Sequence, residues 1–210
     1  MFDKAYFDNY CKGKPYKETL DTHLITYFTL CKAYNIVVSP PGGIQEWMKK
    51  QLVLDAGCGM GHVVDDLTSN GVRCEGYDIS EYAIENALPS VLDKVWEADH
   101  SEQLSRFYDK QYSIVFANSF QYGKDKSQVK SWLKHSFRIC SHSLFFVSVT
   151  IEGLHRCING SDVWKLQLVK NKKWWTNLFY DAGFEGVHWV SEVAAICLKQ
   201  QKQLIKFKTL

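Results

Sequence analysis

The segment best equipped for chemistry is Leu54-Asp55-Ala56-Gly57-Cys58-Gly59-Met60-Gly61-His62. A glycine turn at the carboxyl end of an apolar strand lets backbone approach a ligand closely. It also aims the N–H groups of the next helix at that ligand. The spacing is G-x-G-x-G, and the position where a dinucleotide fingerprint needs its third glycine holds His62. No Gly-Lys-Ser/Thr follows, which excludes a P-loop. A second element is Gly76-Tyr77-Asp78-Ile79-Ser80, where Asp78 can accept both hydroxyls of a ribose through charge-assisted bonds. Asp78 can equally cap the following helix, with Glu81 completing a D-x-x-E box. Asp99, in Ala98-Asp99-His100, is placed to accept a purine amino group, or else is a solvated turn acid. Asn118, which opens Asn118-Ser119-Phe120-Gln121-Tyr122, falls where ligand and substrate should meet, or else forms a turn.

These residues sit at the ends of short apolar runs. Gln51–Ala56 is predicted to be a buried strand, with a helix from the glycine turn to Asn70 and Gly71. Arg73–Tyr77 is a second strand, Ser80–Leu88 a helix stopped by Pro89, and Val95–Glu97 a third strand. Tyr112–Ala117 and Leu144–Val149 are strands four and five, around an amphipathic helix at Ser127–Cys140. His142 falls in the turn leading into strand five. The alternation of strand and helix predicts a doubly wound α/β sheet. The ending differs: helix Trp174–Asp181, a Gly183 cap, then Val187–Val190 and Ala194–Leu198, close enough to pair as an antiparallel hairpin. Residues 151–171 break the alternation and read as an insertion. Before the first strand, Leu20, Leu24, Tyr27, Phe28 and Cys31 are expected on one helix face, ahead of a break at Pro40-Pro41-Gly42-Gly43.

Composition bounds the function. Hydrophobic residues make up 46% and charged residues 23% of the 210, which suits a globular chain and excludes wholesale disorder. The net charge of +2 supplies no basic excess of the kind that marks nucleic-acid binders. Seven cysteines, an odd count without a C-x-x-C pair, argue for reduced thiols rather than disulfides or a zinc site. The polar, aromatic start lacks the layout of a secretory signal, and the longest apolar run, Leu144–Ile151, is too short to span a bilayer. A cytoplasmic location, no metal and no membrane partner are expected.

The order LDAGCGMG, GYDIS, EAD and a strand-four Asn resembles the class I S-adenosylmethionine-dependent methyltransferases over about residues 51–200. The resemblance implies a Rossmann-like, doubly wound, seven-stranded sheet, mostly parallel with an antiparallel last strand. It implies that Gly57, Cys58, Gly59 and Gly61 wrap the methionine and ribose portion of S-adenosyl-L-methionine. Asp55 would support the amino-acid end, Asp78 the ribose and Asp99 the adenine, with Ile79 and His100 flanking the ring. Asn118 joins this set, and S-adenosyl-L-homocysteine is the implied product. Asp78–Ala87 and Trp174-Trp175-x-x-Leu178-Phe179-x-x-Ala182-Gly183-Phe184 are similar to a subgroup of small bacterial and phage methyltransferases. So is the Tyr6-Phe7…Lys14-Pro15-Tyr16 stretch. Members often carry Asp-Pro-Thr-His before the tryptophan pair, where this chain has Asp162-Val163-Trp164-Lys165.

Methyl transfer to an amine or hydroxyl needs alignment and a proton acceptor. His155, in the insertion, is the candidate base, against an ordinary loop histidine. Tyr6, Tyr10 and Tyr16 form a lid over the site, or else serve helix packing, since Phe2, Tyr6 and Tyr10 share one face; Tyr122 is a further substrate-side candidate. Trp174 and Trp175 are expected to pack rather than to cage substrate. The organisation read from the sequence is a helical cap at 1–50, a methyltransferase domain at 51–200 and a basic tail at 201–210. The expected enzyme is an S-adenosylmethionine-dependent methyltransferase acting on an O or N atom of a small-molecule or carbohydrate-like acceptor. Nucleic-acid or protein methylation is the alternative among enzymes, and a non-catalytic cofactor-binding module the alternative outside them. The Asn/Asp-Pro-Pro-Tyr/Phe motif of amino-directed nucleic-acid methyltransferases is missing at Asn118-Ser119-Phe120-Gln121.

Overall fold

The computed structural model describes residues 4–8, 27–98, 106–118, 125–147 and 168–200. Its seven strands are β1 (Leu52–Ala56), β2 (Arg73–Asp78), β3 (Val95–Glu97), β4 (Tyr112–Asn118), β5 (Cys140–Val147), β6 (Gly186–Trp189) and β7 (Ala194–Leu198). The helices are α1 (Lys4–Asp8), α2 (Tyr27–Val37), α3 (Ile44–Lys49), α4 (His62–Ser69), α5 (Glu81–Glu85), α6 (Lys126–Ile139) and α7 (Lys172–Ala182). The strand order is β3-β2-β1-β4-β5-β7-β6. All pairs from β3 to β5 are parallel, whereas β7 runs antiparallel to both β5 and β6. The doubly wound sheet with an antiparallel last strand is therefore present as expected.

The central strands β1, β4 and β5 are largely apolar on both faces because both faces are covered. Alternate side chains enter two separate cores. Val53, Ile114, Phe116, Phe145 and Ile196 pack with α2, α3 and α4 on one face. Leu54, Val115, Ala117, Leu144, Phe146, Ala195 and Cys197 pack with α6 and α7 on the other. Trp175 is fully buried in this second core, against Phe146 and Phe179, so it packs as expected. The five described cysteines are free and buried, and fill core space.

Three local expectations need correction. Phe28 is 63% exposed and does not share the buried face of α2. That face is Tyr27, Leu30, Cys31, Tyr34 and Val37, and one residue past Tyr27 turns Phe28 about 100° away. Leu20 and Leu24 lie outside the described residues. The helix expected at Ser80–Leu88 is only Glu81–Glu85. Pro89 holds Leu88 in an extended conformation and starts a separate 3-10 turn at Pro89–Val91. His142 lies within β5, which begins at Cys140 directly after α6.

At the edge of the sheet opposite the glycine loop, Lys199 closes the carboxyl end of α6. Its ammonium donates to the carbonyls of Phe137 at 2.6 Å and Cys140 at 2.8 Å, with Arg138 at 3.4 Å, and lies 4.5 Å from the Phe137 ring centroid. Helix C-termini leave carbonyls without partners and favour cations. Lys199→Met keeps the stem and removes the charge, and should cost about 2 kcal/mol of stability. A urea-unfolding midpoint equal to wild type would show that water replaces the ammonium at no cost.

Among the described residues no helix is long and apolar enough to cross a membrane. No group of three or more His, Cys, Asp or Glu among them could hold a metal ion.

Candidate functional site

Strand order reverses at β1. The chain moves from β1 to β2 on one side, and returns to β4 on the other. Ligands of open α/β sheets bind at the carboxyl ends of the strands flanking such a reversal. The loop from Gly57 to Gly61 lies there.

Its shape is set by backbone. The N–H groups of Gly57 and Cys58 both donate to the Tyr77 carbonyl, at 2.8 and 3.0 Å, which folds the loop over the end of β2. Gly57 has φ 87°, and a Cβ added there would meet nothing within 4 Å, so this backbone faces open space. Gly61, at φ 84°, is the N-cap of α4 and makes no side-chain cap bond. A Cβ on Gly61 would lie 2.6 Å from Val91 Cγ2. Both positions need the left-handed region that glycine adopts without penalty. The N-terminus of α4 thus starts at the glycine loop without a cap bond from its own N-cap residue.

Asp78 ties this loop to β2. One carboxylate oxygen accepts from the Gly59 N–H at 2.8 Å and the other from the Ser80 N–H at 2.9 Å. Asp78 is not the helix cap: Ser80 caps α5 and accepts from the Ala83 N–H at 3.1 Å. Glu81 is therefore not the partner in a D-x-x-E box. The helix begins two residues later than that pattern requires, which leaves Asp78 at the strand end.

Asp55, near the end of β1, is 2% exposed. Its neighbours in register are Gly76 on β2 and Phe116 on β4. No described residue donates a hydrogen bond to its carboxylate. Burial and then the charge of Asp78 push its pKa up to about 8. Two carboxylates thus converge with no described cation beside Asp55, a setting that favours a positively charged ligand.

The cysteine of the loop contributes backbone rather than thiol. Cys58 is buried with its side chain against Gly76, and burial pushes the thiol well above its ordinary range. Ile79, directly after Asp78, is 41% exposed. Asn118 ends β4 opposite Val147 and is half-buried. Asp99, His100, Tyr122 and His155 lie outside the described residues, as do Tyr10 and Tyr16. Tyr6 is half-buried on α1. The residue of α1 that packs inward is its neighbour Phe7, whose ring lies 5.7 Å from that of Tyr82 on α5. That contact brings the N-terminal section to the helix that follows Asp78.

Phe7, Gly76, Tyr82 and the Tyr77 carbonyl are the site-forming features that pattern reading missed. A carbonyl carries no residue signature, and α1 has five residues, too few for periodicity. Gly76 stood inside a motif already singled out, but its role depends on Cys58 lying above it.

The sequence profile of the methyltransferase domain family matches residues 53–142, which run from β1 into β5. The fold is that of the class I S-adenosylmethionine-dependent methyltransferases. A SAM-dependent methyltransferase from Archaeoglobus fulgidus aligns with 77% of this chain and 76% of its own, at 20% identity and a TM-score of 0.58. A protein from Pyrococcus horikoshii aligns over 87% of this chain and 96% of its own, at 18% identity and a TM-score of 0.59. A SAM-dependent methyltransferase from Methanosarcina mazei aligns over 71% and 91%, at 17% identity and a TM-score of 0.55. No curated protein sequence matches the chain. Within the class I methyltransferase fold, the glycine loop, Asp55 and Asp78 occupy the crevice at the sheet reversal.

The residues present fit S-adenosylmethionine. The buried Asp55 carboxylate, without a described hydrogen-bond donor, suits an ammonium. The Asp78 carboxylate, held at the strand end beside the loop, suits the hydroxyls of a ribose. The exposed Gly57 backbone leaves room for a ligand that a side chain would fill.

Proposed function

We propose that the chain is an S-adenosylmethionine-dependent methyltransferase that methylates an O or N atom of a small-molecule or carbohydrate-like acceptor. The observation that carries the reading is the pairing of Asp78, fixed by two backbone N–H groups, with the buried Asp55 beside the glycine loop. The cofactor supplies a methyl group on a cationic sulfur. Asp78 binds its ribose hydroxyls, Asp55 its amino-acid ammonium, and the Gly57–Gly61 backbone lies along the chain between them. Ile79 covers one face of the adenine, and Asp99 and His100 complete that end. Asn118 belongs to the cofactor-binding set, where cofactor and acceptor meet.

The acceptor atom must lose a proton when it gains the methyl group, and His155 is assigned to take it. Tyr6, Tyr10, Tyr16 and Tyr122 belong to the covering wall that excludes water. The Phe7–Tyr82 contact supports an N-terminal section that reaches this margin. The acceptor class rests on the near-neutral net charge and on the residues after Asn118. It agrees with the likeness of the Asp78–Ala87 and Trp174–Phe184 segments to the small bacterial and phage subgroup.

The test is incubation with radiolabelled S-adenosylmethionine and panels of sugars, amines, oligonucleotides and peptides, followed by the appearance of S-adenosylhomocysteine. Label on a sugar or amine is expected, and His155→Ala should slow its transfer without weakening cofactor binding. Transfer confined to oligonucleotides, with the steep salt dependence of phosphate contacts, would replace the acceptor assignment. Tight cofactor binding without turnover on any panel member would make the chain a binding module.

A further inference from the structure

The least expected group in the pocket is Asp55. A carboxylate that is 2% exposed normally has a cation or several N–H donors as partners. Asp55 has no donor among the described residues. The titratable groups coupled to it are Asp78 at the end of β2, Cys74 further back on that strand and the Cys58 thiol in the loop, with the Tyr77 side chain on the opposite face of the sheet. Each is neutral or negative. The register neighbours Gly76 and Phe116 bring no charge. Ionising Asp55 in the empty pocket therefore places a second negative charge beside Asp78 in a poorly hydrated space.

We propose that Asp55 is a proton-gated counter-charge: it stays protonated while the amino-acid end of the pocket is empty and ionises when a ligand ammonium arrives. The inference rests on the assignment of Asp55 to the amino-acid end under Proposed function. It adds a specificity rule. The pocket accepts a cation there because only a cation makes the ionised carboxylate favourable. A neutral group in the same place leaves Asp55 protonated and gains only a neutral hydrogen bond, roughly half as strong as a charge-assisted one.

The sign follows from linkage. The free protein holds a proton on Asp55 that the complex has lost, so binding releases a proton and affinity rises with pH. With the free-state value at about 8, the gain runs upward from the lower pKa of the complex and ends near pH 8. A ligand α-amino group stays charged below about pH 7.5.

The experiment is calorimetry of the full chain with S-adenosylhomocysteine between pH 5.5 and 7. A parallel titration uses 5′-methylthioadenosine, which lacks the amino-acid end. Affinity for S-adenosylhomocysteine should rise up to about tenfold per pH unit. Titrations at pH 7 in buffers of different ionisation enthalpy should show close to one proton released per ligand. Binding of 5′-methylthioadenosine should release none and stay flat with pH. Asp55→Asn should abolish both the slope and the proton release for S-adenosylhomocysteine. Should that variant fail to fold, the contrast between the two ligands on wild type decides the matter. A flat profile, an equal slope for both ligands, or a slope retained in Asp55→Asn would overturn the inference while leaving the cofactor assignment intact. Absence of S-adenosylhomocysteine binding at every pH would overturn both.

Discussion

Replacing Asp78 by alanine should weaken S-adenosylhomocysteine binding by about 30–150-fold. The loss of a charged acceptor for two hydroxyls is worth about 2–3 kcal/mol, and each 1.4 kcal/mol is a factor of ten. The same carboxylate anchors the Gly59 and Ser80 N–H groups, so the substitution also frees the glycine loop from β2. A loss of about 1–2 kcal/mol of folding stability should accompany the binding defect, because water replaces those partners only in part. The two effects are separable. Calorimetry on the folded variant reads the binding loss, and urea unfolding reads the stability loss. Asp78→Asn retains one acceptor oxygen and should fall between alanine and wild type in both. A folded alanine variant that binds the ligand as tightly as wild type would remove Asp78 from the ribose.

Gly76→Ala should be the most destabilising single-methyl change in the site. An added Cβ would stand 2.7 Å from Cys58 Cβ, 2.9 Å from Val64 Cγ2 and 3.0 Å from Cys58 Sγ. The Cys58 Cβ is attached directly to the loop backbone, so rotating a side chain cannot relieve the contact. The loop must lift, and lifting it breaks the bonds from Gly57 and Cys58 N–H to the Tyr77 carbonyl. Overpacking and the lost bonds together should cost about 3 kcal/mol. Ligand affinity should fall at least tenfold as the loop leaves its position. Gly57→Ala is the control. It meets nothing within 4 Å, and its cost is backbone strain at φ 87°, of about 1 kcal/mol. Equal unfolding midpoints for the two variants would show that the loop accommodates the methyl group without moving.

Much of the fold was legible because its signals are local. Runs such as Leu52–Ala56 and Tyr112–Asn118 are mostly apolar on both faces, which a strand covered on both sides requires, and their polar residues Asp55 and Asn118 fall near the carboxyl ends. Glycines at 57, 59 and 61 all take positive φ, so their spacing marked a backbone that other residues resist. The antiparallel ending followed from a connection between β6 and β7 too short for a crossover. Errors arose where a neighbour in space decided the outcome. Phe28 has the composition of a core residue, yet the stripe on α2 passes it by. The two readings of Asp78 were separated only in space, where Ser80 caps α5 and the Asp78 oxygens hold the Gly59 and Ser80 N–H groups.

The sequence by itself determined the order of elements, the glycine loop and the acids at the strand ends, because each is written in short-range pattern. Only the tertiary structure decided what those acids are. Asp55 and Asp78 lie on adjacent parallel strands, and their proximity arises from the register that pairs Asp55 with Gly76. Burial then sets the character of Asp55, since the free energy of a charge depends on the water and partners around it. Strand pairing and packing establish that environment, and residue type alone does not.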